Sequence, residues 1–150
     1  MRGGMQKRKS GRTAALWAAA AVWTALLFYL AAQNGAESGA LSGRILQIVL
    51  RILPGLADAQ DILHTVLRKL AHFGGFMIEG FLIAAAIKRT WPRIWLRIGA
   101  PVCALLAVLN EITQLFSGGR SCEIRDMLID FCGALLGMGI ARWIARRKAG

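Results

Sequence analysis

Lys69, His72, Phe76 and Glu79 follow one another at intervals of three, four and three residues, the spacing that puts them on one face of a helix. Glu111 and Gln114 share a second face, three apart. Asp126 and Asp130 share a third, four apart, and Gly133 and Gly137 continue it. Arg120 follows Ser117-Gly118-Gly119 between the last two sets. Three chemistries are open to such a collection. Lys69 and Arg120 suit a phosphate or carboxylate, the guanidinium by bidentate pairing, with Glu111, Asp126 and Asp130 orienting them or reading hydroxyls. His72 with Glu111 or Asp126 could act as acid and base. Asp126, Asp130 and Glu111 could together hold a hard divalent cation. The chain has no His-Glu-x-x-His, no serine elbow and no cysteine pair at zinc spacing. No metal and no cofactor is therefore expected, and His72, Glu111 and Asp126 are only candidates for catalysis.

The segments that carry these groups are strongly apolar. The 150 residues include 19 Lys or Arg against 8 Asp or Glu, a net charge of +11, yet 56% are hydrophobic and mean hydropathy is +0.50. Disorder is excluded by that hydropathy. The charge would suit a nucleic-acid binder, but a small soluble one would not be so apolar, so no nucleic acid is expected as a partner. Three cysteines, an odd number, do not make a complete disulfide framework. Cys103 and Cys132 read as small apolar packers in spans, and Cys122 as a loop thiol beside Arg120 and Arg125.

The expected fold is all-α: an integral membrane bundle of about four transmembrane helices, with a short interfacial or re-entrant helix after the first. The spans are placed at 14–32, 70–87, 94–116 and 127–145, with a basic tail at 142–150. Residues 14–32 carry no charge. That run exceeds the about 7–15 residues of a signal-peptide core, and no Ala-x-Ala site follows it, so it reads as a retained span after a basic stretch at 1–13. Residues 33–141 form the remaining membrane domain. Within it, 33–42 reads as a polar, glycine-rich loop and 41–53 as a helix with Arg44, Gln47 and Arg51 on one face, ended by Pro54-Gly55. Asp58 could cap a further helix, with Asp61 three residues on. His64 reads as an interfacial residue without chemistry. Gly133, Gly137 and Gly139 read as packing residues, and Gly133-x-x-x-Gly137 invites a close helix neighbour.

Four spans with both termini inside put thirteen basic residues and no acid on the cytoplasmic face, in the N-terminus, the 88–97 region and the tail. The other six basic residues and all eight acids fall outside or within spans, a strong positive-inside pattern. Trp91, Trp95 and Trp143 lie beside the basic clusters, as interfacial anchors would. This topology makes Lys69, His72, Glu111, Gln114, Arg120, Asp126 and Asp130 converge at the outer leaflet. Glu79, about 10 Å deeper, needs a partner of its own or a proton. Glu123 and Arg125 read as solvated loop charges.

Asn110-Glu111-Ile112-Thr113-Gln114-Leu115-Phe116-Ser117-Gly118-Gly119-Arg120, then Arg125-Asp126-Met127-Leu128-Ile129-Asp130 and Gly133 to Gly137, resembles the VanZ-like family of bacterial membrane proteins. So does Arg68-Lys69-Leu70-Ala71-His72-Phe73, and the 33–42 segment with Ser38 and Ser42 looks like that family's first outer loop. Carried over by position, the family pattern falls on Lys69, His72, Glu111, Gln114, Arg120, Asp126 and Asp130. Two positions depart from it. Many members have an acid and an aromatic where this chain has Gly75 and Phe76, and many have Asp where it has Asn110. The resemblance implies a multi-pass protein of the bacterial cell membrane. It also implies an association with glycopeptide (teicoplanin) resistance. The function read from residues and resemblance is an outward-facing polar site for an envelope lipid or a lipid-linked cell-wall precursor. A membrane-interface hydrolase or transferase acting on a lipid-linked phosphate is the alternative, and a purely structural polar cluster is a third. Membrane lipids are the expected partners; the sequence does not set the oligomeric state.

Overall fold

In hydrocarbon, every backbone N–H and C=O must be satisfied within its own segment, so long apolar runs coil as helices. The computed structural model describes residues 2–119 and 121–147, with side chains at 10–36, 39–40, 42–119 and 121–147. The described chain is helical throughout, without strands: α1 (Arg2–Ala32), α2 (Gly35–Ile52), a 3-10 turn (Pro54–Ala59), α3 (Gln60–Thr90), α4 (Trp95–Leu115) and α5 (Ile124–Arg147). Four stretches are long and apolar enough to cross a membrane: Ser10–Ala32, Pro54–Thr90, Trp95–Leu115 and Ile124–Arg147. The protein is an all-α bundle of four candidate membrane-spanning helices with a shorter helix after the first.

α3 and α5 form the tightest pair and run parallel. Contacts climb both helices together, from Lys69 with Asp126 to His72 with Asp130. Further up, a Cβ on Gly133 would strike the Phe73 carbonyl, and one on Gly137 the Met77 carbonyl and the Phe81 amide. From the other side, a Cβ on Gly80 would strike the Ala134 backbone. Small residues let the two backbones touch, which is how helices associate where lipid offers no hydrophobic drive. Gly139, expected to pack, is instead exposed, and a Cβ there would meet nothing within 4 Å. It lies two residues beyond Gly137, on the opposite side of the helix.

α1 and α4 close the bundle over this pair. The core joins Phe76, Ile83 and Ile87 of α3 to Cys103 and Ala107 of α4 and Met138 of α5. Trp23 Nε1 donates to the Gly75 carbonyl at 2.9 Å, and Thr24 Oγ1 donates to Glu79 Oε1 at 2.6 Å. The deep acid therefore finds its partner on α1 and not in the polar cluster. At the basic end, Trp17 Nε1 donates to Thr90 Oγ1 at 3.0 Å and its ring meets Trp91 edge-on. Trp91 and Trp143 are exposed, as anchors should be, but Trp95 is buried in the core. It opens α4 on the bundle-facing side, so it packs instead of anchoring. Cys103 is fully buried, whereas Cys132 lies on the exposed face of α5.

Two expectations about the long connection are corrected. The glycine-rich segment at 33–42 is not loop beyond its first two residues, because α2 begins at Gly35. The Gly35 amide donates to the Gly118 carbonyl at 2.9 Å, and a Cβ there would come within 2.8 Å of the Gly119 oxygen. Docking against the α4–α5 loop fixes the first turn, and Ala36, Glu37 and Ala40 carry it forward as good helix formers. Asp58 is not a cap either. It lies inside the 3-10 turn, Ala59 holds the cap position, and no side chain caps α3. The turn started by Pro54 winds directly into the helix and leaves no extended residue to act as N-cap.

Candidate functional site

The polar residues of α3, α4 and α5 meet at the end of the bundle nearest α2. Parallel packing makes rungs: residues three apart on α3 face residues four apart on α5. On one rung Lys69 Nζ lies 2.5 Å from Asp126 Oδ1. On the next, His72 Nδ1 faces Asp130 Oδ1 and Oδ2 at 3.2 and 3.4 Å. α4 adds Glu111, whose Oε1 accepts from Gln114 Nε2 at 2.5 Å and whose Oε2 accepts from the Glu123 backbone amide at 3.2 Å. Glu111, Gln114 and Asp130 are fully buried, and Asp126 nearly so. Burying three carboxylates is costly unless each is paired and hydrogen-bonded, and such groups in a membrane segment normally mark function.

The loop after α4 holds this end together. Ser117 Oγ donates to the Ala31 carbonyl at 2.9 Å, which ties the loop to the end of α1. Gly119 has a φ of 76°, a left-handed conformation that favours glycine and turns the chain back toward α5. Glu123 and Arg125 are exposed, as read from sequence, although the Glu123 amide serves Glu111. Arg120 lies outside the described residues.

Beside the cluster is a cavity of about 110 Å³ between α1, α2, α3 and α4. Its lining mixes apolar side chains, Leu27, Leu30, Ala31 and Phe76, with the polar Gln33, Ser42, Arg68, His72 and Asn110. Phe76, Ala31 and Asn110 are buried, whereas Ala71 is exposed and Arg68 half-buried, so the cavity reaches the surface along α3. Asn110 Oδ1 is buried without a hydrogen-bond partner. Arg68 makes no ion pair with any described residue. The cavity is smaller than the about 150 Å³ that admits benzene; it has room for the phosphate or carboxylate of a head group, not for a whole lipid.

Of the residues singled out from sequence, the structure brings together Lys69, His72, Glu111, Gln114, Asp126 and Asp130. Spacing left their pairing open: in the fold Asp126 meets Lys69, and Asp130 meets His72. His72 alone of the six lines the cavity. Arg68, Asn110 and Gln33 were not among the candidates, and each sits next to a residue or span that spacing marks. Arg68 precedes Lys69, Asn110 precedes Glu111 inside a span, and Gln33 follows the first span at once.

Four membrane-length helices around a buried ionic cluster define a multi-pass α-helical membrane protein. The VanZ/LLP1 family profile matches residues 16–145, nearly the whole chain, and the protein belongs to that family. Comparison with curated proteins and with solved structures found no match.

Proposed function

We propose that this is an accessory binding protein of the bacterial cell membrane. Both termini lie in the cytoplasm, and the cavity end faces out and takes the anionic head group of an envelope lipid or lipid-linked cell-wall precursor. The observation that carries the reading is the cavity itself. Arg68 lines it, half-buried and without a counter-ion among the described residues, Asn110 offers an unused buried acceptor, and Leu27, Leu30, Ala31 and Phe76 make the rest of the lining largely apolar. An amphiphile with a phosphate or carboxylate beside a hydroxyl or amide donor matches all three features. The charge pattern supports the orientation, since the basic residues of the 88–97 segment and the C-terminal turn of α5 lie at the end opposite the cavity. Teicoplanin carries an acyl chain and acts on cell-wall precursors at that surface. A role in teicoplanin resistance would thus follow from occupancy of this site.

The test is mass spectrometry of lipids that co-purify with the wild-type protein and with Arg68→Ala. A hydrogen bond to a charged group contributes about 1.5–3 kcal/mol. An anionic lipid retained by the wild type is therefore expected to fall at least tenfold in Arg68→Ala. Equal retention in both would contradict the reading. Arg120→Ala, tested in parallel, reports whether the second basic residue shares the role expected of it.

One observation favours a second reading, a hydrolase or transferase acting on a lipid-linked phosphate. Asp130 engages His72 Nδ1, which leaves Nε2 without a partner among the described residues on a ring that lines the cavity. A carboxylate so placed orients an imidazole for acid–base work. Turnover of a labelled lipid phosphate, lost in His72→Gln, would move the protein to that class; no turnover across a broad panel of envelope lipids would leave it a binder.

A further inference from the structure

We infer that His72, Glu111 and Asp130 bind a single divalent cation between α3, α4 and α5. Each residue offers a ligand atom, and these atoms lie within 4.8 Å of one another. Two ligands on opposite sides of an ion are about 4.2 Å apart at zinc or magnesium distances and about 4.8 Å at calcium distances. A separation of up to 4.8 Å matches calcium distances as it stands; an ion with shorter bonds reaches all three once the side chains draw in by about half an ångström or more.

Charge balance points the same way. Three carboxylates are buried here, and the single lysine that reaches them is taken by Asp126. Among the described residues, no Lys or Arg pairs with Glu111 or Asp130. The one imidazole nearby is paired with Asp130, and among these residues Glu111 has only neutral donors, Gln114 and the Glu123 amide. A divalent cation would neutralise the two acids and leave the histidine neutral, the form in which it ligates.

An independent feature supplies a fourth donor. Gln114 Oε1 is buried and has no hydrogen-bond partner. Its amide nitrogen lies 2.5 Å from Glu111 Oε1, so the amide oxygen, on the same carbon, is within about 5 Å of that carboxylate. Amide oxygens are ordinary ligands for hard cations. One imidazole nitrogen, two carboxylates and an amide oxygen suit Mn²⁺ or Zn²⁺ better than Mg²⁺, which prefers oxygen ligands and retains its waters. The inference rests on these four residues and not on the head-group reading. The two join only at His72, which would place the ion's charge beside an anion bound in the cavity.

The experiment uses the full chain in detergent, stripped with a chelator and dialysed against Mn²⁺ or Zn²⁺. One ion per chain is expected. Asp130→Asn and Glu111→Gln, close in shape to the native residues, should each weaken binding at least tenfold. Arg68→Ala should bind the ion as the wild type does, even where it loses its lipid, which separates this inference from the head-group reading. Pulsed electron paramagnetic resonance of Mn²⁺-loaded wild type should show coupling to one imidazole nitrogen, a readout that needs no variant to fold. Less than about a tenth of an ion per chain, no nitrogen coupling, or equal binding by both carboxamide variants would overturn the site.

Discussion

Gly137→Leu should unfold or dissociate the α3–α5 pair, costing about 3 kcal/mol or more. A Cβ at this position would overlap the Met77 carbonyl and crowd the Phe81 amide. Both obstacles are backbone, so no rotamer change relieves them, and the helices must part along the seam. That opens the neighbouring contacts, where Gly133 lies on the Phe73 carbonyl and Gly80 on Ala134. The polar rungs lie on the same faces one to two turns away, so their distances should lengthen as well. Gly139→Ala is the matched control: it is exposed, has open space around it, and should leave stability unchanged or raise it by up to about 1 kcal/mol through helix propensity. Unfolding in mixed micelles with a graded denaturing detergent measures both. Equal stability of Gly137→Leu and wild type would contradict the packing described for α3 and α5.

Lys69→Met should be strongly damaging, and a second change should repair it. The substitution leaves Asp126, nearly buried, without its cation. Breaking a buried pair from one side costs about 3–5 kcal/mol. Because the lysine side chain is 31% exposed, water can partly replace it, and a loss of about 2–3 kcal/mol is expected. The double variant Lys69→Met/Asp126→Leu removes both charges and should recover most of that loss, since an apolar pair at this depth needs no solvation. A double variant as unstable as Lys69→Met would mean that Asp126 serves more than Lys69.

Much of this architecture can be read from one-dimensional spacing. Apolar runs and the distribution of basic residues locate four helices, and intervals of three and four put Lys69 with His72 and Asp126 with Asp130 on shared faces. The Gly133–Gly137 spacing announces a close neighbour. Which residue meets which cannot be read that way, because the register of α3 against α5 is set by backbone contact between helices separated by all of α4. Hence His72 could be paired with Glu111 or Asp126 from sequence, whereas packing brings it to Asp130. Gly139 and Cys132 mislead for a related reason. Both lie in a span, yet residence in a span does not say which side of the helix is covered. Glu79 shares a face with His72 but lies deep enough to meet Thr24 of α1 instead. The cavity is the least legible feature. Four elements meet around it, with α2 held by Gly35 against the α4–α5 loop, and part of its polar lining comes from Arg68 and Asn110, neighbours of the residues that spacing had marked.

Whether the cavity receives an anionic head group at the membrane surface can be asked of the intact protein by photolabelling. The reagent is an anionic phospholipid with a diazirine next to its phosphate, and the adducts on the wild type are mapped by peptide. Adducts should concentrate on the α3 segment from Arg68 to Phe76 and around Asn110, suppressed by excess unlabelled anionic lipid and not by a zwitterionic one. Adducts spread over lipid-facing residues such as Leu105, Leu128 and Leu136, with none at the cavity and no effect of competitor, would contradict head-group binding there.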